Sequence, residues 1–406
     1  MVLNDVRKRN PVYLFVMFNW FFSMGTLFNL EKNNAADGEH AYFLIFASVS
    51  IFFTVFLLFN RKRYRRTEQI FQIRLAGLYI QSNLLVTWVL LILSVVISYI
   101  YFTYLVGYNL FLPALMGADL DFTTMRLESY AGENYTGAGI INQFKNTILP
   151  ITFSAIVFGF ANKRSWIPLI LFVALVGPVL LWCLLGTGQR TFLFFSLAGF
   201  LYAFTVMGRR LPLTVLLGLV TLFSVLFGAL SVAQGRVDDA DILTILGEVA
   251  HRMLSSNQLG AVFGFRYVYT KEMVYGAEWL QTIGGFLPGV RGSTLSNEVF
   301  HQIFGGFRGT TPVSLWTSIY HNVGWLGLLP ATVIIIKIIE AGHLILRYMP
   351  ATNLHLVTYS FLSFYLAIIP ATSPFQIINN GGLAVALVVF LAGFNIYNRS
   401  LFFRIS

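Results

Sequence analysis

Two stretches of this chain hold residues whose types and spacing suit chemistry. The first is GTGQRT, residues 186–191, where Arg190 stands between two long apolar runs and the nearest charges in sequence are Arg164 and Arg209. A guanidinium is a planar, permanently charged fork that grips phosphate or carboxylate oxygens in pairs. No acid lies within forty residues of Arg190 to neutralise it. Gly186 and Gly188 let the backbone turn tightly or come close to a bound group. GTGQRT lacks the GxGxxG spacing and no strand precedes it, so it is not a nucleotide fingerprint.

The second stretch is FRGTTPVSLWTSIYHNVGWLG, residues 307–327. Pro312 suits the first turn of a helix capped by Thr310 or Thr311. On such a helix Ser314, Ser318 and His321 share one side at spacings of four and three. An imidazole there accepts or relays a proton near neutral pH, although a lone histidine at a helix end is more often a hydrogen-bonded structural residue. Just upstream, NEVFHQIF offers Glu298 and His301 as a second acid–base pair.

These residues need elements to hold them, and composition says which. With 57% hydrophobic and 11% charged residues, the chain is far from a soluble domain. A helix needs about 20 apolar residues to cross a bilayer core. Ten runs qualify, at roughly 11–29, 41–60, 75–101, 143–161, 166–186, 191–207, 212–232, 323–339, 354–373 and 383–398. The third continues apolar to about residue 112, as one long tilted helix or a helix with an interfacial extension. The expected fold is an all-α polytopic membrane protein, one membrane domain over residues 1–406, without internal repeats. RKR before the first run is not followed by a small-residue cleavage site, so that run reads as a retained helix. The one cysteine, Cys183, falls within a run and excludes an intrachain disulfide.

Basic short loops stay cytoplasmic. Placing RKR (7–9), RKRYRR (61–66), NKR (162–164), GRR (208–210), the Lys337–Arg347 loop and the tail inside gives that face 17 Lys+Arg against 3 Asp+Glu, and the outer face 10 against 14. Both termini come out cytoplasmic. The pI of 9.7 thus belongs to one membrane face and is no sign of nucleic-acid binding. Two outer loops are long: 113–143, and 233–321, which is rich in Trp and Phe and reads as a packed subdomain between spans 7 and 8. Within it DILTILGEVAHRM has helical periodicity, with Glu248, His251 and Arg252 opposite its apolar side.

The outer basic residues are Arg126, Arg190, Arg236, Arg252, Arg266, Arg291 and Arg308 against only Lys32, Lys145 and Lys271. Lysine would serve solubility equally well, so the preference for arginine points to an anionic substrate. Some of these arginines have a plainer partner, as Arg252 has in Glu248 at helical spacing.

Ten spans with a large outer loop before the last three resemble the Wzy-type oligosaccharide repeat-unit polymerases and the related O-antigen ligases. The local likenesses are GTGQRT opening a span, Arg126 in the earlier outer loop, and GTTPVSLWTSIYHNVGWLG leading into a late span. His321-Asn322 before a glycine is similar to the ligases' His-Asn, and Tyr320-x-Asn322-x-Gly324 is similar to the polymerases. Those polymerases often carry an acid two residues before the tyrosine, where this chain has Ser318. The resemblance implies a glycosyltransferase of the bacterial inner membrane whose site faces the periplasm. Its donor and acceptor would be polyprenyl-pyrophosphate-linked oligosaccharides, without sugar nucleotide, cofactor or obligatory metal, and a chain-length regulator protein is an implied partner. Arg126, Arg190, Arg266, Arg291 and Arg308, with Tyr320 and Asn322, would then hold the pyrophosphate and substrate. His321 would take the acceptor's proton, with His301 and Glu298 in reserve.

Other patterns carry less. Asp119-Leu120-Asp121 and Asp238-Asp239-Ala240-Asp241 read as solvated loop acids rather than a cation site. A ligase moving the same glycan to a lipid A core is the alternative function. A lipid-linked glycan flippase is a third, but it would place ionisable residues along its spans.

Overall fold

The computed structural model describes residues 11–32, 37–59, 83–118, 120–131, 139–209, 211–233, 243–244, 247, 251, 257–285, 292–305, 309–348, 352–375 and 381–393. These residues fold as helices joined by turns, with no strand among them. In chain order they are α1 Pro11–Lys32, α2 Asp37–Phe59, α3 Asn83–Ile100, α4 Phe111–Leu115, α5 Phe122–Ala131, α6 Gly139–Gln143, α7 Leu149–Asn162, α8 Trp166–Leu185, α9 Thr191–Val206, α10 Leu213–Ala233, α11 Asn257–Tyr269, α12 Ala277–Gly284, α13 Leu295–Phe304, α14 Leu315–Tyr348, α15 Asn353–Ala367 and α16 Leu383–Gly393. π-Helical turns interrupt this regularity at Tyr101–Leu105 after α3, at Phe144–Ile148 before α7 and, among the described residues, at 381–382 before α16.

Six helices among the described residues are long and apolar enough to cross a membrane: Pro11–Leu30, Leu84–Leu105, Ile141–Asn162, Trp166–Leu185, Leu213–Val232 and Leu315–Gly342. The chain is a helical membrane protein on that ground. The runs at 41–60 and 191–207 form shorter apolar helices, His40–Val55 and Thr191–Val206. The last two runs fold as α15 and α16, of 15 and 11 residues. The third run is a helix with an extension rather than one long helix. It ends in the π-turn, and Gly107 at φ 80° redirects the chain into α4. Ile167 and Leu175 on α8 are largely exposed, as side chains that face lipid must be.

The middle of the bundle is α15, nearly all of whose residues are buried. It packs on α9, α1 and α7, and Ser360 Oγ donates to the carbonyl of Gly199 on α9. A helix wrapped on every side needs no polar face. Its own hydroxyls turn back onto its backbone, as Thr358 does to Leu354 O. At one end of the bundle Asn109 donates to Trp182 O, Arg190 to Ser231, and Gln143 accepts from the amide of Ala384. The other end carries the Asn162–Asn353 contact. Helices α11 to α13 lie at the first end, where α11 packs on α1, α2, α13 and α14. Phe265 of α11, Trp316 of α14 and Tyr42 and Phe46 of α2 share one apolar core.

The start of α14 is a correction. Residues 309–314 are not helical, and the helix begins at Leu315 rather than at Pro312. Ser314 is its cap, its Oγ accepting from the amide of Thr317 at 3.2 Å. A hydroxyl placed to take an orphan amide three residues on outweighs a proline's fit to the first turn. Most of DILTILGEVAHRM, the RKRYRR loop and residues 75–82 lie outside the described residues.

Candidate functional site

The helical motif around His321 is built by a break. Gly324 has φ 64° and ψ −166° inside α14, a conformation essentially reserved for glycine. The break deprives the carbonyl of His321 of the amide four residues on, and the amide of Val274 takes that place at 3.0 Å. Met273 follows it in, its sulfur 2.5 Å from where a Cβ on Gly324 would sit. The chain between α11 and α12 is thus docked onto the break. Gly324→Ala is expected to cost about 1–3 kcal/mol of stability, read as a fall in the thermal unfolding midpoint of the purified protein. An unchanged midpoint would mean that the break is not held by the glycine.

That docking delivers the residue which the sequence reading missed. Glu278, in the first turn of α12, is buried. Its Oε2 accepts from Ser318 Oγ at 2.8 Å and Asn322 Nδ2 at 2.9 Å, and its Oε1 from Thr282 Oγ1 at 3.1 Å. Ser318 Oγ also receives the indole N–H of Trp279 at 2.9 Å and lies 3.5 Å from Ser373 Oγ. A carboxylate therefore sits against Ser318. No cation lies within ion-pair distance of Glu278 among the described residues.

Asn322 uses both amide hydrogens, on Glu278 and on the carbonyl of Ser318 at 2.8 Å. Two acceptors on that side fix which end of the amide faces them. Its Oδ1 is left buried without a partner, and so is Nδ1 of the neighbouring His321. Buried polar atoms are nearly always satisfied, so two adjacent exceptions mark a place where a hydroxyl could bond. His321 is half-buried and within electrostatic reach of Glu278, Glu298 and Lys271. Tyr320 lies against Phe265 and Trp325 and stacks on Tyr269, which gives it a packing role at the edge of the site.

The reserve pair is differently occupied. Glu298 on α13 accepts from Thr294 and from Tyr267, each at 2.7 Å, and Lys271 stands 3.9 Å away. The Thr294 hydrogen bond, helped by Tyr267 and Lys271, holds this carboxyl below its ordinary value. It is a weaker proton acceptor for that reason. His301 is in the last turn of the same helix, half-buried.

The arginines divide. Arg190 is buried, its guanidinium 4.2 Å over the ring of Phe227 and bonded to Ser231 of α10. Gly188, at φ 70°, gives the turn its direction. The side chain of Arg126, from α5, packs over that glycine, its Cγ 3.5 Å from the position of a Cβ there. Arg126 is thus brought to the turn that carries Arg190, and its Nε is buried without a partner. Arg266 is exposed on the last turn of α11, among the helices that hold Glu278 and His321. Arg291 and Arg308 lie outside the described residues. Among the described residues no group of three or more His, Cys, Asp or Glu side chains is arranged to hold a metal ion.

Set against protein-family models, curated proteins and solved structures, the chain matches none. Function therefore rests on the chemistry of two constellations: a carboxylate–amide–imidazole group on α12 and α14, and an arginine pair on α5 and the GTGQRT turn. Helix α15 runs between them. Its Tyr365 bonds Thr147 at 2.9 Å on the arginine side, and Ser373, just beyond its end, reaches Ser318 on the other.

Proposed function

We propose that the chain is a membrane glycosyltransferase that joins polyprenyl-pyrophosphate-linked oligosaccharide repeat units at the periplasmic face of a bacterial inner membrane. The observation that carries this reading is the buried Glu278 carboxylate against Ser318 and Asn322, with the unpartnered Nδ1 of His321 beside it. Polymerisation needs a hydroxyl of one glycan to attack the anomeric carbon of another. The bond from that carbon to the pyrophosphate breaks, its electron pair leaves with the phosphate oxygen, and the hydroxyl's proton must go to a base. His321 or Glu278 accepts the proton. Arg190 and Arg126 stabilise the charge that develops on the pyrophosphate, as fixed donors do best in a site poor in water.

Ligation of the same glycan to a lipid A core is the second reading, favoured by the His321-Asn322 pair. Deleting the gene separates the two. A cell without its polymerase still caps the core with a single repeat unit, and a cell without its ligase caps none. Single-unit caps are expected here, read as band position on a lipopolysaccharide gel. Full-length ladders in the deletion strain would remove both readings.

A further inference from the structure

One buried cation belongs to neither constellation. Lys145 lies in the π-turn Phe144–Ile148, inside the apolar span Ile141–Asn162, and is 1% exposed. Its Nζ donates to Asn146 Oδ1 at 3.0 Å and otherwise faces three rings: Tyr101 at 4.8 Å, Phe192 at 5.7 Å and Phe102 at 5.9 Å. No carboxylate pairs with it among the described residues. Tyr101 and Phe102 come from another π-turn. Two π-turns of the bundle therefore meet at this amine. π-turns cost helix regularity and recur at functional sites.

The rings around the amine also reach the turn that carries Arg190. The ring of Phe102 is pressed onto Gly186, in the space that a Cβ there would need, and Gly188 two residues on carries Arg126. Phe192, two residues after Arg190, lies in the first turn of α9. Between the glycines, Thr187 is 2% exposed and its Oγ1 has no partner, like Nε of Arg126. A buried hydroxyl and a buried guanidinium N–H thus border one turn, and the buried ammonium stands one aromatic ring away from it, with no anion among the three. Burying a lysine without a counter-charge is costly and is tolerated where a ligand supplies that charge. Phosphate oxygens are the fitting class, since they accept from ammonium, guanidinium and hydroxyl together.

We infer that Lys145 is a pyrophosphate-binding residue, forming with Arg126, Arg190 and Thr187 the subsite for the carrier lipid's head group. This rests on the glycosyltransferase reading above and adds to it a residue that charge counting leaves among the outer basic residues. The shared chemistry is a phosphate at the membrane boundary, which a polyprenyl carrier or a bulk phospholipid could supply, and we assign the carrier.

The test uses the full-length protein in nanodiscs, with farnesyl pyrophosphate as a dispersible carrier probe. Lys145→Met should weaken binding at least about tenfold while the unfolding temperature holds or rises, because an apolar side chain relieves a buried charge. Met binding as tightly as wild type, while Arg190→Ala binds weakly, overturns the role of Lys145 and leaves the wider reading standing. Wild type failing to bind the probe removes both. Displacement of the probe by phosphatidylglycerol at comparable concentration assigns the subsite to bulk lipid and overturns the carrier assignment. Should the Met variant not fold, wild-type protein carrying 15N-lysine decides the matter. Through-space coupling between Nζ and the 31P of the bound probe is expected, and should vanish in Lys145→Arg. Absent coupling in wild type, or coupling that survives in Lys145→Arg, overturns the proposal.

Discussion

Glu278→Gln should slow glycan transfer by roughly 100- to 10,000-fold, the range lost with a general base, or by a comparable factor if Glu278 only aligns His321. The two roles separate at His321. If the imidazole takes the proton directly, His321→Ala and His321→Gln should both fall by a similar factor, because glutamine keeps a hydrogen bond and loses basicity. If the carboxylate is the base, His321→Gln should keep most activity while Glu278→Gln keeps little. Gln at 278 preserves size and one acceptor for the Ser318 hydroxyl or the Asn322 amide. A loss of activity with unchanged unfolding temperature is then chemical rather than structural. The assay is purified protein with a polyprenyl-pyrophosphate repeat unit, read as product length on a gel. Near-wild-type activity in both Gln variants would transfer the role to Glu298 or His301. Glu298→Gln alone should cost less than about tenfold, since its carboxylate is already spent on Thr294 and Tyr267.

Arg190→Ala should lower transfer by about 100- to 1,000-fold, the usual cost of removing one donor from developing negative charge. Arg190→Lys should recover only part of that. An ammonium keeps the charge, but it cannot both span to Ser231 and lie flat over Phe227 as the guanidinium does. Arg126→Ala should be the milder change to the fold, because Nε of its guanidinium is buried with no hydrogen bond to lose among the described residues. Activity and farnesyl pyrophosphate affinity falling together in Arg126→Ala, with the unfolding temperature intact, would mark a substrate contact. Normal polymer length from Arg190→Ala at normal protein level would leave Arg190 as a tie between α9 and α10 and nothing more.

How far the site is legible in the sequence varies by residue. The importance of Arg190 is visible there, because a charge isolated in apolar sequence needs a reason. The packing of Arg126 on its turn is not, since Gly188 and Arg126 are far apart in the chain. Tyr320-x-Asn322-x-Gly324 is visible as letters, and the structure separates their roles, in that Tyr320 packs, Asn322 orients Glu278, and Gly324 breaks the helix. Helix α12 shows why Glu278 escapes notice. It buries Glu278 and Thr282 and turns Leu280 and Ile283 outward, the reverse of the pattern by which a soluble helix shows its core side. The sequence holds one usable signal, an acid and a threonine four apart beside a tryptophan, and it has no means of naming their partner.

Residence in a membrane, the helical class and the places where most helices run follow from the order of residues alone. Each depends on a local average, the transfer of about 20 consecutive side chains into lipid, and needs no knowledge of neighbours. The site depends on pairs that no local average contains. Glu278 meets Ser318 only because Gly324 frees a carbonyl for Val274 and so docks the preceding chain. Lys145 becomes a buried cation only because one π-turn presents it to the aromatic rings of another. Charge counting sees such a lysine as one more basic residue on the outer face. What decides its chemistry is the loss of water around it, and that is a property of packing in three dimensions.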